Sequence, residues 1–190
     1  MLYFDVLIDW SEAEHGVNQI RVIGGVCDCC LRVGLQFYGS YNNTEVGNYP
    51  TTSTSYKDLR IAMHPVSKVE TAEIAKIVEN AHRYLQIAFA EELYLYCQAN
   101  NLNFPELRDA LNTKWNVQIL EPREGIGGHC LPKDTKMFME SKFVRSKILA
   151  AAMEIDEDYK RYRDKRSKHA NRNKAIRIEN LSHQSPLHPD

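Results

Sequence analysis

From Val69 onward, apolar residues recur at three- and four-residue steps: Ile74, Ile77, Val78, Ala81, Leu85, Ala88, Phe89 and Leu93. That period predicts one long amphipathic helix ending near Ala99-Asn100-Asn101. A second helix is expected from an Asn103 cap, with Pro105 in its first turn, through Leu111. A third follows around Pro132 through Met137 and Phe138. A fourth covers roughly Ser146–Arg166, with Ile148, Leu149, Ala152 and Ile155 on one side. Before Val69 the pattern is different. Short apolar runs at Phe4–Ile8 and Arg21–Val26 read as strands, and Asp28–Tyr38 has helical spacing through Leu31, Leu35 and Phe37. Gly39–Asp58, rich in Ser, Thr, Asn and Tyr, reads as a loop. The expected fold is mainly α: a helical domain with one long helix, preceded by a partial α/β edge. The expected boundaries are 1–67 for that edge, 68–166 for the helical domain and 167–190 for a polar, disordered tail.

Composition adds bounds. The chain has 190 residues, 43% hydrophobic and 26% charged, with a formal net charge of -1. This is ordinary for a globular protein and indicates no polyanionic partner. No apolar run is long enough to span a bilayer, and Asp5 and Asp9 interrupt the short apolar start, so no membrane segment or signal peptide is expected. Five cysteines, three of them at 27, 29 and 30, indicate a reduced, cytoplasmic chain. Cys27-Asp28-Cys29-Cys30 lacks a second, separated ligand pair and reads as a helix start, so no metal site is expected. The basic residues from Lys160 to Arg177 lack interleaved aromatics beyond Tyr159 and Tyr162. They read as a solvated helix end, with no nucleic-acid partner expected.

The chemistry gathers at Glu124-Gly125-Ile126-Gly127-Gly128-His129-Cys130-Leu131-Pro132-Lys133-Asp134. Glycines allow positive φ and close backbone approach, so such a loop can aim N–H groups at an anion. A nearby ammonium and a helix N-terminus both favour a thiolate, the nucleophilic form of cysteine. Cys130 has Lys133 three residues on, and Pro132 places it at the start of a helix. Asp134 can accept a proton or orient water. Gly127, Gly128 and Lys133 are candidates for substrate or cofactor contact. Spacing alone equally allows a glycine turn before a helix, with a buried cysteine. Upstream, Lys76 and Asn80 are four apart and share a helix face.

The string from Gly127 to Asp134 resembles the thiol loop of the UDP-glucose/GDP-mannose dehydrogenase family. Glu73-Ile74-Ala75-Lys76-Ile77-Val78-Glu79-Asn80, with Arg83, Ile87-Ala88-Phe89 and Glu91-Glu92, resembles the family's long central helix. Arg21-Val22-Ile23-Gly24-Gly25 resembles the last strand of its nucleotide-binding domain. The resemblance covers roughly residues 4–160 and implies a two-step, NAD-dependent oxidation of a UDP-sugar C6 alcohol to the carboxylate, a step of polysaccharide precursor synthesis. It implies that Cys130 forms a thiohemiacetal and then a thioester, that Lys76 and Asn80 stabilise the oxyanion, and that Asp134 serves water. It further implies a homodimer through helix 69–99. His129 and the Glu79-Asn80…Arg83…Ile87-Ala88 pattern point to the UDP-N-acetylmannosamine branch, with UDP-glucose as the alternative sugar. A non-catalytic helical dimerisation module is the alternative function. The chain departs from the family in lacking Gly-x-Gly-x-x-Gly, in Asp9–Gly16, and in Arg123, where a glycine is usual. The expectation is therefore a partial chain, inactive alone, with most of the NAD-binding domain absent: a truncated or split gene product, a degraded copy, or one half that assembles with a complementing chain supplying the NAD-binding domain.

Overall fold

The computed structural model describes residues 2–4, 20–38, 63–140 and 146–182. The readings at 5–8, 9–16, 39–58 and 183–190 lie outside them. Three strands and five helices are described, in the order β1 (Leu2–Phe4), β2 (Arg21–Gly25), α1 (Asp28–Tyr38), β3 (Met63–Val66), α2 (Val69–Ala99), α3 (Phe104–Asn112), α4 (Cys130–Met139) and α5 (Lys147–Ser182). The chain divides into two compact units, Met1–Glu79 and Asn80–Asp190.

The first unit is a small α/β edge. β2 is the central strand, antiparallel to β1 and parallel to β3, with Ile23 opposite Pro65. β3 does not stand out in the sequence because it is four residues long and contains a proline, which marks strands with a free edge. Ile23, Leu31, Leu35 and Met63 form its core. The paired glycines that end β2 are packing glycines. A Cβ on Gly24 would lie 2.7 Å from the Lys68 carbonyl oxygen, and one on Gly25 2.7 Å from the Leu31 nitrogen.

All the regular elements of the second unit among its described residues are helices. α3 begins as expected: Asn103 is its N-cap and accepts a hydrogen bond from the Glu106 N–H, with proline in the first turn. Phe104 and Ile119 pack against Ala90 and Cys97 of α2. Asn112 clasps the returning chain from both sides: its side-chain oxygen accepts from the Ile119 N–H at 2.6 Å and its amide donates to the Ile119 carbonyl at 3.0 Å. A second core joins Tyr84 and Ala88 of α2 to Ile126 and Ala152, with Leu131 of α4 packed on it. α5 runs beside α2 in the same direction, since Tyr84 reaches Asp156 while Gln98 reaches Tyr162 and Arg166.

α5 differs from expectation in length. It continues through Ser182, well past the residue-167 boundary set for a disordered tail. The stretch 147–182 contains no Pro or Gly and is rich in Lys, Arg, Ala and Glu, so helix propensity carries it on after its apolar face has ended. Low hydrophobicity was a poor guide to disorder there.

Candidate active site

The glycine–cysteine loop is held from behind by α5. Asp156, buried, accepts the Ile126 N–H at 2.8 Å on one oxygen, and the Tyr84 hydroxyl at 3.1 Å and the Lys160 ammonium at 2.7 Å on the other. Lys160 also donates to the Ile126 carbonyl at 2.7 Å. The Tyr159 hydroxyl donates to the Arg123 carbonyl at 2.8 Å. Gly125 fits this clamp for two reasons. Its φ is +97°, and a Cβ there would lie 2.5 Å from Lys160 Cε. Burial first, then the charge of Asp156, holds the Tyr84 phenol well above its ordinary value, so it stays a donor.

Beyond the clamp the loop opens. Gly128 has φ +79°, and a Cβ on either Gly127 or Gly128 would meet nothing within 4 Å. Gly127 is thus required neither by packing nor by a left-handed backbone. Leu131 is anchored in the core, which leaves its neighbour Cys130 exposed at the first residue of α4. His129, the N-cap residue, makes no side-chain capping bond.

One turn into α4, Asp134 is buried, and its side chain lies across from α2. The Asn80 amide donates to Asp134 Oδ2 at 2.6 Å, and the Lys133 ammonium lies 3.1 Å from Oδ1. The fold therefore unites Asn80 of α2 with Lys133 and Asp134 of α4, the helix that Cys130 starts, in one network. Lys76, one turn before Asn80 on α2, is 3.7 Å from Glu79.

Sequence reading missed the clamp: Tyr84, Asp156, Tyr159 and Lys160. Its one local signal was the Asp156/Lys160 spacing on a helix; Lys160 had been counted with the solvated basic run instead.

Glu91 was also passed over as a functional group. It is fully buried, and neither carboxylate oxygen has a hydrogen-bond partner among the described residues. Burial raises it to about 7, Asp156 adds to the rise, and Lys160 opposes it. In the unfolded chain Glu91 ionises near its ordinary 4.5. The folded state therefore holds the extra proton, and stability falls as pH rises from about 4.5 to about 7. The loss from this group is on the order of 3 kcal/mol. Glu91→Gln should flatten that part of the urea-midpoint profile and gain most above pH 7; an unchanged slope would contradict this.

A third group lies in the first unit, where the sequence predicted only a helix start. The sulfurs of Cys27, Cys29 and Cys30 all lie within 4.8 Å of one another. Hydrogen bonding with Cys29, then Cys30, brings the Cys27 thiol down to about 7, while Cys30 is raised beside it.

Residues 70–158 match the UDP-glucose/GDP-mannose dehydrogenase family, central domain. Two curated relatives are UDP-N-acetyl-D-mannosamine dehydrogenases. The one from Escherichia coli (strain K12) is 35% identical over 141 residues, 74% of this chain and 29% of that protein. The one from Campylobacter jejuni is 29% identical over 142 residues, 75% of this chain and 30% of that protein. A solved UDP-D-ManNAc dehydrogenase from Pyrococcus horikoshii superposes with a TM-score of 0.61 at 26% identity, covering 79% of this chain and 31% of that one. The chain thus spans about a third of the length of the relatives it matches. No helix among the described residues is long and apolar enough to cross a membrane.

Proposed function

We propose that this chain supplies the thiol-bearing central domain of an NAD-dependent UDP-sugar 6-dehydrogenase, with UDP-N-acetylmannosamine as the sugar nucleotide. The observation that carries the reading is the Asn80–Asp134 bond, which ties the long helix to the helix that Cys130 begins. In this reading the Cys130 thiolate adds to the C6 aldehyde. A C–S bond forms, the carbonyl pair moves onto oxygen, and that oxygen takes a proton to give the thiohemiacetal. The Asn80 amide and the Lys76 ammonium meet the developing charge. Asp134, held by Asn80 and Lys133, accepts a proton from the water that later releases the product. The open backbone at Gly127 and Gly128, with Lys133 beside them, contacts the substrate.

The described residues do not form a dinucleotide cradle. The chain has no Gly-x-Gly-x-x-Gly, and its paired glycines, Gly24 and Gly25, are filled by its own backbone. The hydride acceptor therefore enters with a complementing nucleotide-binding segment, and the 190-residue chain is inactive alone. A homodimer through α2 is part of the same reading. Ile74, Val78, Phe89 and Tyr96 are large apolar side chains exposed along that helix.

The test is substrate protection. Cys97 is buried and would label slowly for that reason alone, so the reference is Cys29, which is exposed like Cys130. UDP-N-acetylmannosamine should slow iodoacetamide labelling of Cys130, measured by peptide mass spectrometry, and leave Cys29 unchanged. Equal labelling with and without the sugar nucleotide would favour a non-catalytic module. Stronger protection by UDP-glucose would move the assignment to that sugar.

A further inference from the structure

The thiol triplet at the β2–α1 turn has no place in the reaction above. Cysteine is among the most buried residue types. Here Cys27 and Cys29 are exposed and Cys30 is half-buried, within four consecutive residues. Their sulfurs fall within 4.8 Å of one another, with Cys27 and Cys29 at 2.7 Å.

The turn that holds them is fixed by packing. Cys27 precedes the first turn of α1, and its carbonyl accepts the Leu31 N–H at 3.0 Å. The Cys27 sulfur accepts the Cys30 N–H at 3.3 Å, so one unpaired N–H of the helix start is directed at sulfur. Leu31 is buried in the core of the unit, and Gly25 lies so close beneath that no side chain fits there. The backbone beneath the three thiols is therefore held by the core.

We propose that Cys27, Cys29 and Cys30 form a three-sulfur site for a soft, thiophilic metal ion, with monovalent copper the ion that the ligand set fits. Metal–sulfur bonds of about 2.3 Å bring the sulfurs of a shared ion to roughly 3.8 Å apart, within reach of rotation about the cysteine side chains. No histidine or carboxylate joins the three sulfurs among the described residues, so those residues offer three ligands, all soft. Structural zinc takes four ligands, whereas thiolate sets select Cu(I). The three thiols belong to the first unit, whereas Cys130 begins a helix of the second. Binding forms Cu–S bonds and releases the thiol protons, with no change of oxidation state.

The test is anaerobic titration of the reduced 190-residue chain with Cu(I) against a competing Cu(I) chelator. One ion per chain should bind tightly. Cys29→Ser should weaken binding at least tenfold, and the triple Cys27→Ser/Cys29→Ser/Cys30→Ser chain should lose it. Cys130→Ser should retain the full stoichiometry. These serine changes fall on exposed or half-buried positions, and an unchanged far-ultraviolet circular dichroism spectrum certifies the fold of each. No binding by the native chain, or binding that survives the triple change, overturns the proposal. Because the readout is stoichiometry at the first unit, it is independent of whether Cys130 is a nucleophile.

Discussion

Cys130→Ala should reduce turnover by at least about a thousandfold in an assembly where a nucleotide-binding chain complements this one, read as the initial rate of NADH formation with a UDP-sugar. A covalent route has no substitute for its nucleophile, so the loss belongs to the rate of turnover. Cys130 is exposed at the first residue of α4 and carries no core contact of its own, since Leu131 next to it does the packing. The variant should therefore keep the thermal midpoint of the native chain. A kinetic loss with a large drop in midpoint would mean that the cysteine is structural.

The largest effect on stability is expected at Asp156. Its two oxygens receive the Tyr84 hydroxyl, the Ile126 N–H and the Lys160 ammonium. Asp156→Ala leaves all three donors short of an acceptor, two of them beside a buried side chain. Removing one partner of such a buried network costs about 3–5 kcal/mol, measured as a fall in the urea midpoint. Asp156→Asn, which keeps one carbonyl oxygen, should fall between. The consequence reaches the thiol loop, because the Ile126 backbone that Asp156 and Lys160 hold leads directly into Gly127-Gly128-His129-Cys130. A change below about 0.5 kcal/mol would show that the loop is held by other contacts.

The helices were legible because their signals are local. α2 declares itself by the spacing from Ile74 to Leu93, and α3 by Asn103 followed by Pro105. The thiol loop was legible for the same reason, since glycines, cysteine and lysine are neighbours in sequence. The clamp was not. Asp156 and Ile126 are thirty positions apart, and only the packing of α5 against α2 brings them together. Glu91 entered the sequence reading only as part of the long helix's resemblance, because burial is a tertiary property that its neighbours in sequence do not declare. β3 stayed hidden behind Pro65, and the length of α5 behind its polarity. The closeness of the three thiols was not legible either, because the rule of two separated ligand pairs says nothing of sulfurs gathered from four consecutive residues at a helix start.

In the proposed function Cys130 is the nucleophile of a sugar-nucleotide dehydrogenase, and the hydride acceptor is bound outside the described residues. The measurement that tests it most directly is NADH formation from NAD and UDP-N-acetylmannosamine, run on the chain alone, on the chain mixed with a separately produced nucleotide-binding domain of a relative, and on that mixture with Cys130→Ala. The account predicts a rate only in the native mixture. Reduction of NAD by the chain alone, or undiminished turnover in the Cys130→Ala mixture, would contradict it.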